Sequence, residues 1–77
     1  MEPTIELRLF ATLEKYLPET AHAYRIQEGS RVRDMVVRLG IPLEKAKLIF
    51  VNGRKADLET VLYGGERVGI FPPVGGG

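Results

Sequence analysis

The chain has 77 residues and a mass of 8.6 kDa, which bounds it to one small domain. It contains no cysteine, so disulfide staples, a thiolate nucleophile, a Cys-ligated metal and a side-chain persulfide are all excluded. Eleven basic residues oppose ten acidic ones, a balance that gives no reason to expect nucleic acid or a membrane as partner. Leu, Ile, Val and Phe supply 24 of the 77 residues, enough for a hydrophobic core. The longest uncharged run, Val68 to Gly77, is too short to span a bilayer. The opening residues show neither the n-region nor the h-region of a leader, and a soluble cytoplasmic protein is expected.

Ile5, Leu7, Leu9 and Ala11 alternate with Glu6, Arg8 and Phe10, the period of a half-buried strand. Phe10 falls on the polar phase. Leu13 to Thr20, with Pro18, reads as a turn, and Ala21 to Gln27 as a second strand with Tyr24 and Ile26 on one face. Two strands so close in sequence predict an antiparallel hairpin. The period then changes. Val32, Met35, Val36 and Leu39 stand at i, i+3, i+4 and i+7, with Ser30 as the expected N-cap, Gly40 as the exit and Pro42 preventing continuation. A helix of about ten residues follows, its stripe worth roughly 1.5–3 kcal/mol per fully buried side chain.

Leu48 to Val51 predicts a third strand, Asn52-Gly53 a hairpin turn, and Arg54 to Ala56 a short returning strand. Leu58, Val61 and Leu62 suggest a short helical turn. Gly64-Gly65 makes a turn into a last strand, Glu66 to Phe71, with Val68 and Ile70 opposite Gly69 and Phe71. The order predicts an α+β layer: one helix crossing a mixed sheet of four to five strands, with the first and last as parallel neighbours. Residues 1–71 form the expected domain. Residues 72–77 form a flexible C-terminal tail, because Pro72 and Pro73 remove two amide donors and glycines pack nothing.

Four segments carry a family resemblance: Leu7-Arg8-Leu9-Phe10-Ala11, Val51-Asn52-Gly53-Arg54, Gly65 to Phe71, and Pro72-Pro73-Val74-Gly75-Gly76-Gly77. Together they resemble the MoaD/ThiS ubiquitin-like sulfur carriers, and the molybdopterin synthase small subunit more than ThiS. The chain departs from the family pattern at Gly64-Gly65-Glu66, where Asp-Gly-Asp is usual, and at Gly75, where a small side chain is usual. The resemblance implies a ubiquitin-like β-grasp fold and a carried reactive group, the carboxylate of Gly77.

It further implies an E1-like adenylating partner of the MoeB/ThiF kind that uses ATP and Mg²⁺, with no cofactor or metal held by this chain. A sulfur donor, such as a cysteine desulfurase or rhodanese-like protein, would convert the adenylate to a thiocarboxylate. A MoaE-like large subunit would then present the sulfur to a pterin precursor in molybdenum-cofactor synthesis. Alternatives are a protein modifier acylating lysine, a carrier for tRNA thiolation or thiamine synthesis, and a bare interaction domain. The chain is not expected to be an enzyme alone.

A free carboxylate with a reference pKa of about 3.5 is ionised and a poor electrophile, so activation is required on chemical grounds. If Leu48 and Phe50 face the helix, Ile49 and Val51 share the outer sheet face with Phe10 and Phe71, giving an apolar partner-binding patch beside the tail. The remaining residues point to no chemistry. His22 has no second ligand nearby, Asp34 interrupts the basic side formed by Arg31, Arg33 and Arg38, and Glu28, Asp57, Glu59 and Glu66 lack a general acid/base spacing.

Overall fold

The computed structural model describes residues 3–73. Val74, Gly75, Gly76 and Gly77 lie outside the described residues. The strands are β1 (Thr4–Leu9), β2 (Tyr24–Arg25), β3 (Leu48–Val51), β4 (Arg54–Ala56) and β5 (Arg67–Phe71), and the helix is α1 (Val32–Leu39). They form a five-stranded sheet of order β2-β1-β5-β3-β4. β1 and β5 are parallel, while β1/β2, β3/β5 and β3/β4 are antiparallel. A parallel pair needs a long connection, and here it contains α1 and everything else between the first strand and the last.

The core follows the alternation read from sequence. Ile5, Leu7 and Leu9 of β1 and Val68 and Ile70 of β5 are buried against Val32, Met35 and Val36 of α1. Leu39 is only partly buried at the helix end, and Gly40 terminates the helix at φ 83°. One mixed sheet packed on one helix is the β-grasp arrangement. Asn52 and Gly53 both have positive φ, 54° and 80°, the geometry of a tight turn whose twist matches its strands. Asn52 also exchanges hydrogen bonds with Arg67: its amide donates to the Arg67 carbonyl at 2.8 Å, and its Oδ1 accepts from the Arg67 amide at 2.9 Å. The β3–β4 hairpin is thereby tied to β5.

Several local expectations are corrected. β1 stops at Leu9, and Ala11, at φ 53°, opens a 3-10 turn over Ala11–Tyr16. That turn buries Leu13 completely, so the segment expected as a turn also contributes to the core. The second strand shrinks to Tyr24–Arg25, with Ala21–Ala23 in 3-10 conformation. Tyr24 and Ile26 still point inward. The helix begins one residue later than Ser30 would set it. Arg31 occupies the cap position, and its amide donates to Asp34 Oδ2 at 2.9 Å.

No helix forms over Leu58 to Leu62: Leu58 and Glu59 make a single turn, closed by the Thr60 amide donating to the Asp57 carbonyl at 3.1 Å. The carbonyls of this segment serve α1 instead, the amides of Val32 and Arg33 donating to Thr60 and Leu58 at 3.0 and 2.9 Å. Those amides belong to the first turn, which has no intrahelical acceptors. A bridge between Arg31 and Val61 continues the contact, and Leu62 is fully buried behind it.

Candidate functional site: the outer face of the sheet

Side chains of β1, β5 and β3 that do not enter the core project from the helix-free face. Register decides which of them meet. Glu6 stands opposite Arg67, Arg8 opposite Gly69, Phe50 opposite Gly69 from the other side, and Leu48 opposite Phe71. The row through the middle of the sheet therefore reads Arg8, Gly69, Phe50, then Lys55 of β4. Gly69 leaves a gap in the centre of that row. A β-carbon there would stand 3.3 Å from Cε2 of Phe10, so the ring of Phe10 leans over the bare backbone.

Phe10 and Phe71 stack with centroids 4.1 Å apart and planes inclined by 3°. Phe50 meets Phe71 nearly edge-on, at 5.8 Å and 83°. Both are favoured aromatic geometries, since the positive ring edge seeks a negative face and parallel rings offset. The three rings and Gly69 line an open groove of about 460 Å³, with Arg8, Arg67 and Gly53 on its rim. β5 leaves this groove at Phe71 and runs at once into half-buried Pro72 and exposed Pro73.

Phe10 and Phe71 thus occupy the face that alternation assigned to them. Ile49 and Val51 do not. Ile49 is 2% exposed and pairs with Ile70, while Val51 pairs with Val68 and packs partly buried against the core. Phe50 and Leu48 take the outer side instead. Leu48-Ile49-Phe50-Val51 is apolar throughout, so it carries no phase of its own, and the pairing with β5 supplies it. Phe50, Gly69, Arg8 and Arg67 line the candidate groove without being singled out by the sequence. A glycine in a strand that otherwise alternates was the available signal, because such a gap marks close approach by another group.

The residues that pointed to no chemistry have structural surroundings. Arg33 donates through Nε to Glu59 Oε2 at 2.8 Å, and Arg31 lies 3.8 Å from the same carboxylate. Glu66 accepts from the amides of Tyr63 and Gly64 at 2.8 and 2.7 Å, holding the turn before β5. Asp57 Oδ1 accepts the Glu59 amide at 2.9 Å. His22 is exposed. Among the described residues no three His, Cys, Asp or Glu side chains gather as a metal site, and no helix is long and apolar enough to cross a membrane.

A sheet ordered β2-β1-β5-β3-β4 around a central parallel pair, one helix on its inner face and a proline-led segment leaving the central strand define a ubiquitin-like β-grasp protein. A sequence model of the Mut7-C ubiquitin family matches residues 2–75, and the chain belongs to that family. The solution structure of the HVO 2177 protein of Haloferax volcanii is similar, with a TM-score of 0.76 and 26% identity over 97% of this chain and 87% of that one. The crystal structure of SAMP1 from Haloferax volcanii shares the fold, with a TM-score of 0.64 and 22% identity over 96% of this chain and 99% of that one. No curated protein matches the chain.

These findings correct the resemblance to MoaD/ThiS and, with it, the identity as a molybdopterin synthase small subunit. Three of the four segments that suggested it, the alternating first strand, the Asn-Gly hairpin and the glycine-led last strand, are demands of the β-grasp framework and do not separate one of its families from another; of the fourth, Pro72 to Gly77, only Pro72 and Pro73 are among the described residues.

Proposed function

We propose that this protein is a ubiquitin-like modifier whose Gly77 carboxylate is activated and passed to an amine on another protein. The observation that carries this reading is the exit of the central strand β5 from the aromatic groove at Phe71, directly into Pro72-Pro73. In this reading residues 1–71 are the recognised body and residues 72–77 the reactive arm. Phe10 and Phe71 contact the activating partner, and Pro72, Pro73, Val74, Gly75 and Gly76 carry Gly77 to its site.

The chemistry is acyl transfer. An E1-like adenylating enzyme of the MoeB/ThiF kind, using ATP and Mg²⁺, joins a Gly77 carboxylate oxygen to the α-phosphorus and releases pyrophosphate. A deprotonated lysine amine then attacks the carbonyl carbon, an amide bond forms, and AMP leaves. A thin tip suits this step, because three glycines place no side chain between the carbonyl and an enclosing channel. A related outcome of the same adenylate is sulfur transfer for tRNA thiolation or thiamine synthesis. The absence of cysteine makes the C-terminus the chain's available carrier of transferable sulfur.

The test begins with the C-terminal peptide of the protein taken from its own cells, which must end at Gly77. Digests of those cells should then yield lysine peptides carrying a branch that ends in Gly76-Gly77. A gain of about 16 Da on the intact chain, an oxygen replaced by sulfur, assigns the carrier role instead. Full complementation by a chain lacking Gly76-Gly77 would leave only an interaction domain and overturn both activated readings.

A further inference from the structure

The two faces of the molecule treat their arginines differently. On the helix side Arg31 and Arg33 converge on Glu59. Around the groove Arg67 and Lys55 have no ion-pair partner among the described residues, while Arg8 is engaged by Glu6. Arg67 faces Glu6 across the β1–β5 pair, yet that carboxylate bonds Arg8 Nε at 3.0 Å. Among the described residues, the rows beside the groove therefore set three cations, Arg8, Arg67 and Lys55, against one anion, Glu6. Unneutralised charge beside a low-dielectric surface selects partners of opposite sign and steers their approach.

We propose that the groove beside Gly69 is a docking site for a protein segment that seats an apolar side chain against the rings of Phe10, Phe50 and Phe71 while its flanking carboxylates pair with Arg8 and Arg67. Phe10 already leans over Gly69, so the side chain seats on the aromatic rings that line the groove, and those walls exclude water from it. The two guanidinium groups occupy adjacent strands, as Arg8 pairs with Gly69 and Arg67 lies two residues before it. They read acidic residues on both sides of the anchor.

A second copy of this chain is disfavoured, because it would bring the same three cations to the interface. A single-stranded nucleic acid is disfavoured by the rings themselves. Phe10 and Phe71 cover one face of each other and Phe50 stands edge-on to Phe71, so the surface is a slot and not a row of free stacking faces.

Amide chemical-shift mapping on the full chain tests the site, using a synthetic peptide with one Phe flanked by two Glu on each side, its Lys-for-Glu counterpart and an oligouridylate. The acidic peptide should shift Arg8, Arg67, Gly69 and Phe71 saturably, bind about tenfold more tightly than the basic one, and weaken as salt is raised. Arg67→Glu, and separately Arg8→Glu, should erase that preference while leaving the remaining spectrum folded. Equal affinity for both peptides, shifts away from Gly69, absence of shifts at millimolar peptide, or binding of the oligouridylate alone would each overturn the proposal. Gly77 takes no part in the titration, so this result and the activation of the tail stand or fall separately.

Discussion

The ring of Phe10, the residue after the first strand, lies flat on that of Phe71, the last residue of the fifth, 4.1 Å away. The contact locks the two parallel central strands together where the chain leaves the domain. Stacked pairs contribute about 0.5–1.5 kcal/mol beyond the area they bury. A double-mutant cycle of Phe10→Ala and Phe71→Ala in urea should therefore return a coupling of about 1 kcal/mol. Additive losses would mean that the rings do not stack in solution.

Phe71→Ala also has a consequence for recognition under the proposed function. It removes one wall of the groove while Val68 and Ile70 keep the inner packing of β5. Binding to an activating partner should weaken by roughly 1–3 kcal/mol, in the range of an interface anchor. Titration of folded variant against wild type is the measurement. Unchanged affinity would place the partner elsewhere.

Gly64 and Gly65 look equivalent in sequence but are not in space. Gly64 has φ 120°, and a β-carbon on it would lie 2.7 Å from Cβ of Pro3; Gly65, at φ 87°, has open space. Gly65→Ala should cost about 1 kcal/mol for the left-handed backbone alone. Gly64→Ala should cost more, about 2–3 kcal/mol, because Pro3 must also move. Paired thermal melts decide whether the two costs separate.

Leu13 is fully buried although it lies in a short 3-10 turn. Leu13→Ala should destabilise by about 2–5 kcal/mol, as a core truncation does, while Thr12→Ala beside it, exposed, should change little. Equal small effects would show that the turn does not pack as described.

The helix start offers a sharper contrast. Asp34→Ala removes the acceptor of the Arg31 amide and should cost about 0.5–2 kcal/mol. Ser30→Ala should be close to neutral, since Ser30 takes part through its backbone, its amide donating to the Gln27 carbonyl and its own carbonyl accepting from Leu62. Chemical denaturation of the two variants distinguishes which residue caps the helix.

Local rules made much of this protein legible. Alternation places Ile5, Leu7, Leu9, Val68 and Ile70 inside and Phe10 and Phe71 outside, because a pleated strand turns every second side chain to the same face. The i, i+3, i+4 stripe marks α1, and Asn52-Gly53 and Gly40 mark the hairpin and the helix end, because only certain residues tolerate positive φ. The phase of Leu48-Ile49-Phe50-Val51 was not available to such rules, since four apolar residues in a row fit either orientation. Pairing with β5 put Ile49 over Ile70 in the core and Phe50 beside Gly69 in the groove, and so moved the candidate site from Ile49 and Val51 to Phe50. Leu58 to Leu62 followed the same logic. Their own spacing suggested a short helical turn, but only a single turn closes at Leu58-Glu59, and the unsatisfied first amides of α1 claim the carbonyls of Leu58 and Thr60. Where a residue's neighbours in sequence settle its conformation, the sequence alone suffices; where hydrogen-bond partners or register come from a distant strand or helix, only the assembled fold decides.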